Sequence, residues 1–252
     1  MVHDTTARAH ADGQGIVGAR GLGRRFGTGG AEVVALSDVS VEFETTRFAA
    51  IMGPSGSGKS TLMHLLAGLD RPTSGSVHLA GVDLGGLDDA ALTRLRRDKV
   101  GFVFQSFNLL PTLTAEENIL LPLSIAGRRP DRPWFDELTK AVSIADRLRH
   151  RPAELSGGQQ QRVAIARALA SRPAVVFADE PTGNLDSRAS GEVLDLLRLA
   201  VDSFGQTVVM VTHDAHAASF ADRLVVLGDG RIVHDGDAPS TDTILDLMKA
   251  LS

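Results

Sequence analysis

The chain has 252 residues, with 31 acidic side chains against 26 lysines and arginines, so its formal net charge at pH 7 is −5. It contains no cysteine, which excludes disulfide bonds and cysteine-ligated zinc or iron–sulfur sites. The acidic balance argues against a nucleic-acid partner, because duplex binding depends on clustered lysine and arginine. The longest apolar stretch, residues 119–126, contains a proline and is much shorter than the about 20 residues that a membrane-spanning helix needs.

The first part of the chain divides into a tail and the start of a folded domain. Residues 1–15 are polar and have no periodicity, which predicts a disordered tail. The remaining residues, 16–252, are enough for one α/β domain with a smaller inserted lobe. Apolar and polar residues alternate over residues 39–43, which predicts half-buried antiparallel strands in this region.

Residues 53–61, with the sequence GPSGSGKST, are the most informative segment. The apolar run before them, residues 48–52, predicts a buried parallel strand, and the residues after them predict a helix that ends near Gly68. Glycines lack Cβ, so successive backbone N–H groups can turn toward a phosphate, and the helix N-terminus adds partial positive charge. Lys59 suits the β- and γ-phosphates, and the Ser60 hydroxyl suits Mg²⁺. The predicted nucleoside triphosphate site comprises Gly53, Pro54, Ser55, Gly56, Ser57, Gly58, Lys59, Ser60 and Thr61.

Residues 105–154 differ from their surroundings, because strand patterns stop and helical signals begin. Thr114 and Glu117 form a capping box, which predicts the start of a helix. Residues 136–148 carry apolar side chains at helical spacing, which predicts a helix with one apolar face that packs in the core. The side chains of this face are Leu138, Val142, Ala145 and Leu148.

Residues 155–162, with the sequence LSGGQQQR, form a second anion site. Ser156 and Gln159 make a capping box at the start of a helical pattern. Gly157 and Gly158 leave bare amides at this helix N-terminus, which could grip a γ-phosphate from the side opposite the phosphate loop. At this motif the chain resembles the ATP-binding cassette (ABC) family, whose signature reads LSGGQ.

Two acids follow the next apolar run, residues 174–178. Read as a buried strand, this run carries Asp179 and Glu180 to the edge where doubly wound sheets bind ligands. Adjacent side chains on a strand point in opposite directions, so one acid would face a metal and the other an attacking water. By resemblance to the family's Walker B motif, Asp179 holds Mg²⁺ and Glu180 is the general base.

The resemblance implies roles for four further residues. Gln105 stands at the position of the Q-loop glutamine, which reaches Mg²⁺ and the water. Asp186 ends the segment that resembles the D-loop, which crosses to a partner subunit. His213 matches the switch histidine that contacts the γ-phosphate. Phe26 stands where the family has an aromatic residue, commonly tyrosine, that stacks on adenine.

Two details leave alternatives open. His213 and His216 are spaced to share a helix face and so could be a metal site, although no third ligand is evident nearby. Residues 45–47 stand where the family has a Gly-Glu turn of a hairpin that leads into the phosphate-loop strand.

The resemblance covers residues 16–235, with the motifs in the family's order. It implies an α/β fold: a RecA-like P-loop NTPase core with an N-terminal antiparallel β subdomain and an α-helical subdomain inserted at about residues 105–157. It also implies an ATPase that uses ATP and Mg²⁺ and works as a dimer. In that dimer Ser156, Gly157 and Gly158 of one copy close over the ATP that the other copy binds.

Residues 68–75 and 104–114 resemble the macrolide and lipoprotein exporter branch, with its MacB-, LolD- and FtsE-like cassettes. This implies an ATPase subunit that powers a separate FtsX- or MacB-like permease for the export or extraction of a lipoprotein, peptide or drug-like substrate. The subunit would lie in the cytoplasm on the inner face of the cell membrane. The permease would dock near the segment from Gln105 to Thr112, onto the apolar cluster Phe107, Leu109 and Leu110.

Two rival functions follow from other members of the superfamily. One is a regulatory ATPase of the cell-division type, which signals through a membrane partner without moving a solute; the cassette motifs do not separate it from a pump. The other is a DNA-repair or chromosome ATPase, which needs a long coiled-coil insertion. Only about a hundred residues, without sustained heptads, lie between the phosphate loop and the signature, so this reading is disfavoured.

Overall fold

The computed structural model describes residues 15–27 and 32–250. The disordered tail predicted for residues 1–15 therefore lies, except for Gly15, outside the described residues. Strands and helices alternate along these ranges, as expected for an α/β fold. In chain order they are β1 (Val17–Phe26), β2 (Val33–Phe43), β3 (Phe48–Met52), α1 (Lys59–Leu66), β4 (Ser74–Leu79), β5 (Val82–Asp83), α2 (Asp89–Lys99), β6 (Val100–Phe104), α3 (Ala115–Ile125), α4 (Arg132–Ala141), α5 (Gly157–Leu169), β7 (Val175–Asp179), α6 (Ser187–Asp202), β8 (Val208–Val211), α7 (Ala215–Ala218), β9 (Arg223–Gly228), β10 (Arg231–Asp237) and α8 (Thr241–Lys249).

The central sheet has the strand order β10-β9-β3-β8-β7-β6. Strands β9, β3, β8, β7 and β6 run parallel, and β10 pairs with β9 in the antiparallel direction. All five residues of β3 are buried. Because both faces of these strands are covered, they read as continuous apolar runs rather than alternating ones. The prediction of a buried parallel strand at residues 48–52 is confirmed.

A second sheet has the order β2-β1-β4-β5 and is antiparallel throughout. Strand β2 contains residues 39–43, and its burial alternates there, so the predicted half-buried antiparallel strand is confirmed. The chain thus has the predicted fold class, with a parallel core sheet, an antiparallel sheet and a helical segment.

The core lies on both faces of the central sheet. Phe48, Ala50 and Met52 of β3 pack into the cluster that includes α3 to α6. Ala49 and Ile51 face the other way and join α1 and the antiparallel sheet. The side-chain alternation of one strand therefore connects the two halves of the core and fixes the position of the loop that follows it.

Between β6 and β7 the described chain is helical, as predicted, but one helix differs from expectation. Helix α4 ends at Ala141, because Ser143 adopts a left-handed backbone with φ 55°. Residues 145–147 form a separate 3₁₀ turn, and Ala145 is exposed. A single helix over residues 136–148 is therefore wrong, although Leu138 and Val142 are buried in the core as predicted.

The segment before the phosphate-loop strand is a crossing between sheets and not a hairpin. Strands β2 and β3 belong to different sheets. Thr46 takes a left-handed φ of 57°, and its backbone N–H donates to Thr207 Oγ1 at 3.0 Å. This turn therefore places β3 beside β8 without the glycine that the resemblance led us to expect.

Across residues 15–27 and 32–250, no helix has the length and hydropathy needed to cross a membrane.

Candidate functional site

Four of the predicted site residues follow strands that end at one edge of the central sheet. Gly53 follows β3, His213 follows β8, Glu180 follows β7 and Gln105 follows β6. These four strands are neighbours in the sheet and run parallel. Their carboxyl ends therefore meet at one edge, where open α/β sheets bind ligands.

The phosphate loop needs its glycines for both conformation and space. Gly53, Gly56 and Gly58 have φ values of 148°, 81° and 101°, which other residues rarely adopt. A Cβ on Gly53 would collide with the carbonyl oxygen of Leu227, and one on Gly58 would lie 2.5 Å from the carbonyl oxygen of Ala35. The loop is therefore packed against its own fold on one side and leaves the other side for a ligand.

The loop presents unpaired amides beside a cation. Within the described ranges, the backbone N–H groups of Ser55, Gly56 and Gly58 have no hydrogen-bond acceptor, whereas that of Ser57 donates to Pro54 O at 3.2 Å. Lys59 Nζ lies across the loop and donates to Gly53 O at 2.9 Å and to Pro54 O at 2.8 Å. Burial lowers the pKa of Lys59. An anion at the loop amides would offer this ammonium stronger partners than two carbonyls.

Asp179 is the last residue of β7, and its half-buried side chain has no hydrogen-bond or ion-pair partner in the described part of the chain. Burial raises the pKa of its carboxyl group, and the neighbouring Glu180 adds to the effect. A half-buried carboxylate without a partner suits a cation. Together with the exposed hydroxyl of Ser60, it supplies the oxygen ligands that Mg²⁺ prefers, so these residues fit a magnesium ion.

Glu180 and His213 form a pair, with His213 Nδ1 at 2.8 Å from Glu180 Oε1. The Glu180 side chain is 19% exposed and that of His213 is 74% exposed. Glu180 lies beyond the end of β7 and has a left-handed φ of 47°. The alternation of β7 therefore ends at Asp179 and does not extend to Glu180, so the predicted division of roles between the two acids does not follow from strand geometry alone.

Gln105 is held by the D-loop. Its Nε2 donates to Asn184 Oδ1 at 3.1 Å, and Asn184 Nδ2 donates back to Gln105 O at 3.1 Å. A Cβ on Gly183 would lie 2.7 Å from Gln105 Nε2, so the amide rests against this glycine. No hydrogen bond joins Gln105 to Ser60 or Asp179 in the described structure.

Gln161 of α5 connects the same two loops through their backbones. Its side chain is fully buried. Its Nε2 donates to Pro181 O at 2.6 Å and lies 3.4 Å from Phe104 O. The signature helix therefore contacts the residues next to Gln105 and to Glu180.

The signature residues lie at a different surface. Ser156 and Gln159 form the predicted capping box at the start of α5. Ser156, Gly157, Gly158 and Gln159 line an open cavity of about 600 Å³ together with residues 184–186. No residue of the phosphate loop lines this cavity, so within one chain the two predicted phosphate sites are separate. Asp186 uses its Oδ1 to cap α6, accepting from Ala189 N at 2.8 Å.

Phe26 is the last residue of β1, and 42% of it is exposed. The guanidinium of Arg24 lies over its ring, 4.5 Å from the centroid. The ring is thus accessible, as base stacking requires, and one face is in contact with a cation.

The predicted docking cluster is only partly exposed. Leu110 is 45% exposed, whereas Phe107 is half-buried and Leu109 packs against the core. Phe107 and Asn108 both have left-handed backbones, and their carbonyl oxygens accept hydrogen bonds from the guanidinium of Arg167, which donates to Phe107 O at 2.8 Å.

A fully buried amide holds the rest of this segment. Asn118 Oδ1 accepts from Leu110 N at 2.8 Å, and its Nδ2 lies within hydrogen-bond distance of the carbonyls of Leu110, Leu113 and Thr114. A groove of about 250 Å³ lies beside the segment, between the edge strand β6, α5 and Pro122.

Four residues of this site were not predicted as contributors: Asn118, Gln161, Arg167 and Arg24. Asn118 and Gln161 carried a signal, because each is a polar residue on the buried face of a helix, where an unpaired amide would be costly. Arg167 and Arg24 gave no such signal in sequence.

Comparisons with known proteins show the family and the fold of this chain. The family model described as ABC transporter matches residues 36–183. The macrolide export ATP-binding/permease protein MacB of Rhodopseudomonas palustris (strain HaA2) is 48% identical over 234 residues, covering 88% of this chain and 36% of that protein. An uncharacterized ABC transporter ATP-binding protein, MJ0796 of Methanocaldococcus jannaschii, is 47% identical over 210 residues, covering 81% of this chain and 89% of that protein.

Among solved structures, a dimeric post-hydrolysis state of the ATP-binding cassette MJ0796 bound to ADP and Pi superposes with a TM-score of 0.79. It is 41% identical and covers 89% of this chain and 99% of that one. The chain spans about a third of the length of the MacB relative, as the 36% coverage states. The family match, the two relatives and the shared fold together show that the chain belongs to the ABC transporter family, as one of its ATP-binding cassettes.

Proposed function

We propose that this cassette hydrolyses ATP with Mg²⁺ and drives a separate membrane permease. The observation that carries the proposal is the convergence of the phosphate loop, Asp179, the Glu180–His213 pair and Gln105 at the carboxyl ends of four neighbouring strands. We also propose that residues 16–252 form a single cassette, in which about residues 105–157 are the helical subdomain.

Binding begins at the phosphate loop. The backbone N–H groups of Ser55, Gly56 and Gly58 and of the N-terminus of α1 donate hydrogen bonds to the phosphate oxygens. Lys59 exchanges its two carbonyl partners for the β- and γ-phosphates. The base stacks on the exposed ring of Phe26.

The metal ligands are Ser60, Asp179 and Gln105. These residues would hold Mg²⁺, which would supply positive charge against the negative charge that develops during phosphoryl transfer. Asp179 has the raised pKa of a half-buried carboxyl group, and a cation would favour its ionised form. Gln105 requires release of its amide from Asn184, or a shared movement of the two loops, before it reaches the metal.

The chemical step uses the Glu180–His213 pair. Glu180 accepts the proton of the attacking water, and His213 reaches the γ-phosphate from its exposed position. The 2.8 Å contact between them lets the histidine orient the carboxylate toward the water. Lys59 and the helix N-termini stabilise the negative charge on the departing phosphoryl group.

A second copy of the chain completes the site. Ser156, Gly157, Gly158 and Gln159 would close over the γ-phosphate bound by the partner, and Asp186 would lie at the same interface. Within one chain the signature and the phosphate loop are separate, which supports this arrangement. The similar cassette MJ0796 is dimeric with ADP and Pi.

The permease would dock on the segment from Gln105 to Thr112 and on the groove beside it. The groove is apolar at Phe102 and Phe104, whose rings stack with centroids 5.4 Å apart, and Leu110 adds an exposed apolar side chain. We propose an FtsX- or MacB-like partner, export of a lipoprotein, peptide or drug-like substrate, and a position on the cytoplasmic face of the membrane. The similarity to MacB supports this branch of the family.

The chemistry is tested with Glu180→Gln. This change keeps the size of the side chain and removes the base, so we expect ATP turnover to fall by roughly 10²–10⁴-fold while nucleotide binding persists. Glu44→Gln is the control, because Glu44 pairs with Arg47 on an exposed turn away from the site. Unchanged turnover in Glu180→Gln would show that another residue acts as the general base.

The partner is tested by isolating tagged Glu180→Gln from its native membranes with ATP and Mg²⁺ and identifying the bound proteins by mass spectrometry. A permease with a large extracytoplasmic domain supports the export function. Recovery of cell-division proteins alone would instead favour a regulatory ATPase that moves no solute.

A further inference from the structure

Arg24 and Phe26 form a stacked pair at the end of β1. They are two residues apart on a strand whose pairing with β2 is irregular at Arg24, and the contact between their side chains shows that they lie together. The guanidinium carbon lies 4.5 Å from the centroid of the ring, well within the range of cation–π contacts.

An ion pair fixes the guanidinium in this position. Arg24 Nη2 lies 3.0 Å from Asp70 Oδ1 and 2.9 Å from Asp70 Oδ2. The Arg24 side chain is only 23% exposed. Asp70 Oδ1 also accepts the backbone N–H of Arg71 at 2.7 Å, so the carboxylate is itself held in place. Asp70 lies shortly after the C-terminus of α1, the helix that follows the phosphate loop. The ion pair therefore connects Phe26 to this helix.

The pair has a chemical consequence for the ring. Phe26 has no hydroxyl group with which to anchor itself, and 42% of it is exposed. The cation on one face orients the ring and draws electron density from it. The opposite face then becomes a better surface for an electron-rich purine.

We propose that Arg24 is a positioning residue for the nucleobase, which holds Phe26 and polarises it so that a purine stacks on the face away from the guanidinium. This inference rests on the proposed function of the phosphate loop. Arg24 then contributes to binding of the nucleobase and makes no contact with the phosphates.

The test is a comparison of ADP with pyrophosphate, which lacks the base, by titration calorimetry. Arg24→Met removes the charge and the planar group but keeps an extended side chain. We expect it to weaken ADP binding by about 3–10-fold, the range of a cation–π contact at a partly exposed site, and to leave pyrophosphate binding unchanged. Arg25→Met is the matched control: it removes the same charge one residue further along β1, from a side chain that pairs with Glu32. It should alter neither affinity.

A second pair of variants separates positioning from folding. In a Phe26→Leu background, Arg24→Met should cause no further loss of ADP affinity, because the cation then has no ring to hold. Asp70→Asn leaves both partners in place but releases the guanidinium, so it should weaken ADP binding in the same direction by a smaller factor. Thermal melting of each variant verifies that the fold persists.

Three results would overturn the inference. If Arg24→Met weakened the binding of ADP and of pyrophosphate equally, Arg24 would act on the phosphates and not on the nucleobase. Tighter ADP binding in Arg24→Met would place the guanidinium on the face that the base uses. Additive losses with Phe26→Leu would show that the two residues act independently. If the unaltered chain bound neither ADP nor pyrophosphate, the proposed function itself would fail.

Discussion

Lys59 and Asp179 carry opposite charges, and burial affects both. It lowers the pKa of Lys59 and raises that of Asp179, because the charged form of each loses water. Within the described residues, the Lys59 side chain donates hydrogen bonds to two loop carbonyls, and Asp179 has no hydrogen-bond or ion-pair partner, although the charges of Lys59 and Asp179 attract each other at longer range. At the scale of single residues, the burial of these two charges therefore destabilises the folded chain, and a triphosphate with its cation can provide partners for both.

Asp179→Asn should therefore stabilise the free chain at neutral pH. A carboxyl group with a raised pKa in the folded state opposes folding when it is ionised, and this effect disappears as pH falls through the raised pKa toward the ordinary value of 3.8. Thermal melting from pH 7 down to pH 4 should show an advantage for the variant that shrinks with acidity. An advantage that grows as pH falls would contradict the assignment.

Lys59→Ala should weaken nucleotide binding strongly. The ammonium is expected to donate charge-assisted hydrogen bonds to phosphate, and loss of such bonds corresponds to about a 10–100-fold loss of affinity. Titration with ADP measures the effect. Lys140→Ala, which changes an exposed lysine of α4, serves as the control. Unaltered ADP affinity in Lys59→Ala would contradict the assignment of residues 53–61 as a phosphate-binding loop.

At the scale of elements, α5 is the part that connects the site. Its N-terminus carries the signature, Gln161 reaches the backbone beside Gln105 and Glu180, and Arg167 holds the segment proposed to meet the permease. This one helix therefore contacts the loop after β6, which includes Gln105 and the segment proposed to meet the permease, and the loop after β7, which begins with Glu180.

The pairing of Gln105 with Asn184 should appear as strong coupling between the two residues. If Asn184 orients the Gln105 amide, then Asn184→Ala and Gln105→Ala should each reduce turnover, and the double variant should lose little more than the worse single variant. Interaction energies of about 0.5–3 kcal/mol are typical of residues in direct contact. The measurement is a double-mutant cycle on turnover, and losses that add within error would contradict this positioning role.

Much of this architecture could be predicted, because the signals are local. The strand at residues 48–52, the capping boxes at Thr114 and Ser156, and the glycines of the phosphate loop each follow from the preferences of a few adjacent residues. The relative placement of Gly53, Asp179, His213 and Gln105 follows from parallel strands that end at one edge.

The features that the sequence did not predict are not local. Several depend on backbone conformations that residues other than glycine adopt only in a tertiary context. Ser143 ends α4 and Glu180 leaves its strand through left-handed φ values that neither residue type signals. Arg24 stacks on Phe26 because Asp70, distant in sequence, holds it there. Such contacts become visible only when the fold is assembled.

At the scale of the whole molecule, one chain holds two halves of different sites. The phosphate loop and the acids lie at the sheet edge, whereas the signature lines a separate cavity of about 600 Å³. Such an arrangement suits two copies related head to tail across two nucleotides, with each copy supplying the part that the other lacks. ATP would then be the ligand that holds the dimer together, and its hydrolysis would release it.

The most direct test of this account is the sedimentation of Glu180→Gln in the analytical ultracentrifuge, with and without ATP and Mg²⁺. We predict a monomer without nucleotide and a dimer with it, because the variant binds ATP but does not hydrolyse it. Adding Gly157→Arg, which would fill the proposed γ-phosphate contact, should restore the monomer. A Glu180→Gln protein that binds ATP and still sediments as a monomer would contradict the claim that a second copy completes the site.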